Sequence, residues 1–285
     1  MTTRYLVTGA SGMLGTDLVA SLAGRDVTAL TRVQLDVTDP EAVTAAVHGY
    51  DVVLNASAYT RVDDAETNED AAYAVNATGV ENLARACADA GSTLVTYSTD
   101  YVFDGTATTP YAEGAATSPV TAYGRTKAAG ERLALAANPD RTIILRVAYL
   151  YGQHGPNFAA TMLTLAAAHP TVSVVTDQVG QPTWTVDVAS QTRSVLDAGI
   201  RSGILHATNS GQASWFDFAR AIFEANGLDP ERVLPTDSAS FVRPAPRPAY
   251  SVLGHDRWAD VGISAPRAWQ DALADAVRTG AVGTS

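Results

Sequence analysis

Through the first half of the chain, short apolar runs alternate with stretches of helical spacing. Tyr5-Leu6-Val7 predicts a strand, and Asp17 to Leu22 carries helical periodicity. Val27 to Leu30 reads as a second strand, Ala42 to Val47 as helix, and Asp51 to Asn55 as a strand rich in branched side chains. The rhythm continues with helix over Val80 to Ala90, strand over Thr93 to Tyr97, helix over Ala122 to Ala136 and strand over Thr142 to Val147. Such alternation implies a parallel sheet covered on both faces, a doubly wound α/β arrangement. After about residue 150 it loosens into a Gly/Pro/Asn loop at Gly152 to Asn157, a helix over Phe158 to Ala168 and a strand over Val172 to Val175. The segment Arg243-Pro244-Ala245-Pro246-Arg247-Pro248 is neither helix nor central strand, because proline lacks the amide donor and fixes φ. The last third therefore reads as a smaller C-terminal lobe over the carboxyl edge of the sheet.

Length and composition narrow the class. A chain of 285 residues fits one domain plus a modest second lobe. Hydrophobic residues at 46% against charged residues at 17% exclude disorder and supply a core. The net charge of −11, with no cluster of Lys and Arg, excludes a nucleic-acid grip. No apolar stretch approaches the roughly 20 residues of a membrane span, and the start shows no signal-peptide pattern, so a cytoplasmic protein is expected. Cys87 is the only cysteine and reads as a small core residue. The 5 histidines show no ligand spacing, and no metal is expected.

Gly9, Gly12 and Gly15 form GxxGxxG directly between the first strand and a helix, the context in which glycines let backbone approach a dinucleotide pyrophosphate. The following helix offers free N–H groups and the positive end of its dipole. The reading is a Rossmann-type fold: residues 1–152 and 171–203 as a discontinuous dinucleotide-binding domain, 153–170 and 204–285 as a substrate domain. At the end of the second strand Leu30-Thr31-Arg32 carries arginine where NAD sites usually place an acid, which favours NADPH, with NADH as the alternative. Asp36, before Val37, could accept from the adenine amino group or cap a strand end.

Lys127 is the sole lysine among 19 basic residues, and it lies four after Tyr123. On a helix this spacing puts ammonium and phenol on one face, where the cation would favour the phenolate and make a better acid. A coincidental pair on a solvated helix is the bland alternative. Ser98 and Thr99 end a predicted strand, where open α/β sheets place ligands; either hydroxyl could bind the reacting oxygen or cap the neighbouring turn.

With these residues in view, the chain resembles the extended short-chain dehydrogenase/reductases, and among them the dTDP-4-dehydrorhamnose reductases. The resemblance runs from Gly9–Gly15 through Asn55–Thr60, Val75-Asn76-Ala77, Tyr97–Phe103, Tyr123–Lys127, Asn157-Phe158 and Gly180–Thr183 to Arg247-Pro248 and Ser251. It implies hydride transfer from NADPH to C4 of a dTDP-4-keto-6-deoxy sugar, foremost dTDP-4-dehydrorhamnose. Thr99 becomes the hydroxyl on the carbonyl, Tyr123 the acid, and Lys127 the group that holds the nicotinamide ribose. Gly9, Ser11, Gly12, Met13, Leu14, Arg32, Asp36, Val37, Ala56, Ser57 and Ala58, with Tyr123 and Lys127, are the implied cofactor contacts. Thr60, Val62, Thr99, Tyr101, Tyr149, Asn157, Trp184 and Arg247 are the implied substrate contacts, Arg247 at the diphosphate. Asn76 either supports the site or is a packed polar residue.

Two departures qualify the resemblance. The family commonly has tryptophan where this chain has Tyr149, with Trp184 an extra aromatic, so the sugar is left open to that of another 4-ketoreductase of secondary metabolism. The magnesium site through which some members dimerise is matched only at Asp17. A monomer or homodimer without metal is expected, bound to neither nucleic acid nor membrane. A non-catalytic NADP-binding regulatory subunit, and an epimerase or dehydratase that recycles its hydride, are the competing classes.

Overall fold

A computed structural model describes residues 2–283. Met1, part of the N-terminal stretch read for a leader, and Thr284 and Ser285, part of the expected substrate domain, lie outside them. The first 150 residues form β1 (Arg4–Thr8), α1 (Met13–Ser21), β2 (Asp26–Leu30), α2 (Pro40–Val47), β3 (Val52–Asn55), α3 (Val62–Ala65), α4 (Glu69–Tyr73), α5 (Gly79–Ala90), β4 (Thr93–Thr99), α6 (Ala122–Ala137) and β5 (Thr142–Val147). The remainder adds β6 (Leu150–Tyr151), α7 (Phe158–Ala168), β7 (Val172–Val175), β8 (Val179–Gly180), β9 (Thr183–Trp184), α8 (Thr185–Asp197) and β10 (Gly203–His206). It ends with β11 (Ala213–Ser214), α9 (Trp215–Ala225), β12 (Val233–Thr236), α10 (Asp256–Asp260) and α11 (Trp269–Arg278).

The main sheet has strand order β10-β5-β4-β3-β1-β2, all parallel. Period-two alternation divides its side chains between two cores. Leu6, Val53 and Leu94 join Val43, Val47 and Leu83 beneath α2, α5 and α6, whereas Val7, Leu54 and Val95 join Leu14, Leu18 and Val188 beneath α1 and α8. Burial on both faces is why β3 opens on an unbroken apolar run and why every residue of β4, its threonines and serine included, lies inside. Cys87 is fully buried, its thiol pushed up to about 12 by desolvation. Residues 31–37, which carry Arg32 and Asp36, are turn and loop, closed by Gln34, whose Oε1 accepts from the N–H and hydroxyl of Thr31.

A separate core of Met162, Leu163, Phe218, Ile222, Phe223, Trp269 and Leu273 builds the second lobe. This moves two expected boundaries. β7 pairs with β12 and buries Val172 and Val174 in the second core, so the chain remains in the small lobe past 171. β10, expected from 204 onward in that lobe, hydrogen-bonds to β5 and completes the main sheet. The cause is side-chain alternation: β7 has one apolar face, which suits a two-stranded ribbon on helices better than a sheet buried on both sides.

Candidate active site

The order reverses between β1 and β3, and there the loops after both strands diverge to leave a crevice. Gly9 turns the chain with φ +66°, and a Cβ on it would lie 2.7 Å from the backbone of Ala56 and Ser57. A Cβ on Gly15 would lie within 2.9 Å of Ala10 and closer still to the Gly9 carbonyl, so two glycines are sterically required. Gly12 is the N-cap of α1 and supplies no side-chain partner, which leaves the first helical N–H groups available to an anion.

The resulting cavity, 540 Å³, brings together Gly9, Ser11, Gly12, Arg32, Asp36, Val37, Ala56, Ser57 and Ala58 in its lining. Tyr59, Arg61, Asp64, Asn68 and Val75 also line it and were not foreseen. The side chains of two further expected contacts leave the cavity, Leu14 for the core under α1 and α8 and Met13 toward Gly152 and Gly155, while their backbone N–H groups are among those at the open end of α1. Helical geometry turns both side chains away from the N-terminal opening. Asp36 accepts from the N–H and hydroxyl of Thr38 at 2.9 and 2.7 Å, bonds that, with Arg32 nearby, hold its carboxyl below the ordinary range. The guanidinium of Arg32 is exposed at the rim, a fit for a charged ribose substituent.

β4 ends at Thr99, whose hydroxyl donates to Asp100 Oδ1 at 2.9 Å and accepts from the Tyr101 N–H at 3.2 Å. Asp100 is 2% exposed, and its Oδ2 accepts from Ser251 at 2.6 Å. Burial raises this carboxyl to about 6 despite those donors. Thr121 caps α6 and places Tyr123 in its first turn, with Lys127 one turn deeper on the same face. The Tyr123 phenol stands beside Thr99. Burial and the Asp100 charge raise its pKa, and the Thr99 hydroxyl alone lowers it.

Lys127 Nζ donates to the Tyr97 carbonyl at 2.5 Å, and desolvation brings the ammonium down to about 8. The strand carbonyl thus holds one donor of the ammonium, and the Thr99 hydroxyl acts on the phenol in the direction of the phenolate. Asn76, in a π-helical turn over Ala74–Thr78, grips the backbone of Tyr59 at 2.8 and 3.0 Å and the Thr126 hydroxyl at 3.1 Å. It thereby ties the loop after β3 to α6, so of its two readings the supporting one has a geometric basis.

A second cavity, 330 Å³, opens between the lobes and is lined by Tyr101, Phe158, Gln178, Trp215, Arg243 and Arg247 among others. Tyr149, at φ +45°, stacks its ring on Trp215 with centroids 3.7 Å apart. Gly180 makes room for that ring, since a Cβ there would lie 2.5 Å from Tyr149 Cζ. The Tyr149 hydroxyl meets Ser251, and its pKa is raised chiefly by burial.

The aromatic wall thus uses Trp215 and not Trp184. The latter is 6% exposed inside the second core, turned inward by the short pairing of β9 with β6. Asn157 is also withdrawn: its Oδ1 caps α7 at Ala160 and its Nδ2 donates to the carbonyls of Gly152 and Gly155. Thr60 is exposed and Val62 half-buried, and neither lines either cavity. Asp100 and Ser251, 151 residues apart, carried no sequence signal of their pairing. Among the described residues no group of three His, Cys, Asp or Glu could hold a metal, and no helix is long and apolar enough to cross a membrane.

Comparison with known proteins gives one consistent picture. The family model described as RmlD substrate binding domain matches residues 3–281. A dTDP-4-keto-6-deoxy-D-glucose reductase of Streptomyces niveus is 50% identical, covering 97% of each chain. A dTDP-4-dehydrorhamnose reductase of Mycobacterium tuberculosis is 48% identical over 99% of this chain and 95% of its own. Among solved structures, a dTDP-4-dehydrorhamnose reductase from Bacillus anthracis in complex with NADP superposes with a TM-score of 0.94 at 34% identity, covering 98% of this chain and 100% of that one.

Proposed function

We propose, because the chain belongs to the RmlD substrate binding domain family within the extended short-chain dehydrogenase/reductases, that it reduces a sugar-nucleotide ketone. It is an NADPH-dependent oxidoreductase acting on C4 of a dTDP-4-keto-6-deoxy sugar, foremost dTDP-4-dehydrorhamnose, with dTDP-L-rhamnose as product. In this reading the glycine-loop domain takes the dinucleotide and the second lobe the dTDP-sugar. It acts in the cytoplasm as a monomer or homodimer, with neither nucleic acid nor membrane as partner. The observation that carries the reading is the Tyr123 phenol beside Thr99 at the carboxyl end of β4, with Lys127 behind it on the same helical face.

The cradle fits the cofactor: a glycine turn without Cβ atoms, a helix N-terminus free of a side-chain cap, and Arg32 at the rim. When bound there, the dihydronicotinamide supplies the hydride. The chain's own residues handle the proton. Tyr123 gives its phenolic proton to the oxygen at C4 as negative charge develops there. Thr99 has one hydrogen, committed to Asp100 while the phenol is protonated. Once the phenolic proton has left, the Thr99 hydroxyl can swing to the phenolate and stabilise it, consistent with its lowering of the Tyr123 pKa. Lys127, anchored on Tyr97, presents its other N–H donors to a ribose hydroxyl.

The test is loss of reduced-nicotinamide absorbance with 4-keto-6-deoxy sugar nucleotides. Tyr123→Phe should keep the Kd for NADPH and lower kcat about 10²- to 10⁴-fold. Unchanged turnover in that variant removes the assignment, and NADPH binding without turnover on any such ketone removes the reductase. The stacked Tyr149–Trp215 wall favours one second reading, a 4-ketoreductase for another deoxysugar.

A further inference from the structure

Asp63 lies on α3 between the two cavities. Its neighbours Arg61 and Asp64 line the dinucleotide cavity, while its partner Arg247 lines the interlobe one. Asp63 Oδ1 forms an ion pair with Arg247 Nη2 at 2.9 Å and accepts a hydrogen bond from the N–H of Ala245 at 3.2 Å. Arg243 approaches Oδ2 at 3.9 Å, and Arg247 Nη1 donates to the Ala245 carbonyl at 3.0 Å. One carboxylate of the first lobe thus fastens the proline-dense segment of 243–248 at a backbone and a guanidinium. That segment has few other means of docking. Pro244, Pro246 and Pro248 have no N–H to offer, and the adjoining Phe241 and Val242 are exposed. Its far end is held by shape, where Pro248 fills the space a Cβ on Gly105 would need, 2.3 Å away.

We infer that Asp63 is a positioning residue for nucleotide binding: by clasping the proline segment it sets the Arg247 guanidinium across the mouth of the interlobe cavity. This deepens the proposed function, because it rests on Arg247 as the group that meets the diphosphate. A guanidinium has five N–H donors in one plane. One is taken by the Ala245 carbonyl while the Asp63 carboxylate pairs with the charge at 2.9 Å, and the two contacts together hold the plane and leave the remaining edge for phosphate oxygens. Without the clasp that edge is ordered only as the ligand binds, and the ordering costs affinity. The proton-transfer groups are untouched, since neither Thr99 nor Tyr123 is hydrogen-bonded to Asp63.

The experiment uses the full chain with three variants, Asp63→Asn, Arg247→Ala and the double substitution. Calorimetry gives the Kd for dTDP and for NADPH, and steady-state assays give KM and kcat for the keto sugar nucleotide. Asp63→Asn should weaken dTDP and raise KM about tenfold, with kcat within about twofold and the Kd for NADPH unchanged. The double variant should bind dTDP no more weakly than Arg247→Ala alone, because the two act as one unit. Tighter or unchanged dTDP binding in Asp63→Asn, while Arg247→Ala is impaired, overturns the clasp; tighter binding would mean that the carboxylate competes with the diphosphate. Unimpaired dTDP binding in Arg247→Ala overturns the diphosphate assignment itself. If Asp63→Asn lowers Tm sharply, Asp63→Glu, which retains the charge, replaces it and should recover most of the lost affinity; failure to do so in a folded variant also counts against the clasp.

Discussion

Replacing Lys127 with methionine should stabilise the protein at neutral pH while abolishing most of its activity. The ammonium is 5% exposed and lies at about 8 against 10.5 for a free lysine. That difference of 10.5 − 8, about 2.5 pH units, corresponds to about 3 kcal/mol of folding stability lost at pH 7 in keeping the group charged. Methionine has similar volume and no charge. It forfeits the bond to the Tyr97 carbonyl, at a cost of about 1–3 kcal/mol, so the net gain is on the order of 1 kcal/mol, or a Tm rise of roughly 2–4 °C. The sign can be checked by pH. Between about 8 and 10.5 the unfolded chain holds a proton that the folded chain has released, so wild-type stability from this group rises through that window. The methionine variant lacks the rise, and its advantage should shrink steadily above pH 8. Urea denaturation of both proteins without cofactor, at several values from pH 7 to pH 9.5, reads this difference directly. A difference that stays constant across the range refutes the desolvated ammonium, and full turnover by the variant refutes its part in the reaction.

Gly9→Ala should abolish NADPH binding measurable by fluorescence titration, because the new methyl carbon meets backbone at 2.7 Å on a turn with φ +66°; retained affinity would show that the loop can shift without loss. Acid should destabilise the fold through His206 and His255, which burial holds at about 3 and about 4 against 6.5 when free. Folded values below the unfolded one mean that stability is complete above 6.5 and lost as pH falls from there. Asp100, raised to about 6 from 3.8, opposes the change with a single proton. The urea midpoint should therefore drop between pH 6.5 and pH 4, and His206→Gln should flatten that drop; an equal slope in the variant would remove His206 as its source.

The chain's own pattern determined the alternating architecture, the glycine turn and the Tyr123–Lys127 pair, because each depends on neighbours within one or two turns. Apolar periodicity places strands, a missing Cβ permits the turn at Gly9, and four-residue spacing aligns two side chains on α6. The α3, α4 and π-helical stretch from Val62 to Thr78 was not legible in the same way, since its pieces are too short to show a period. Only the tertiary structure decided which distant groups meet. It set Ser251 on Asp100, Asp63 on Arg247 and Trp215 on Tyr149, and it turned Trp184 into a core. It also gave Lys127 the Tyr97 carbonyl as its partner and set the Tyr123 phenol beside Thr99. The physical reason is that a hydrogen bond or a stacked ring requires contact. Contacts between residues far apart in the chain follow from how separate elements and cores pack together, not from any local preference of the chain.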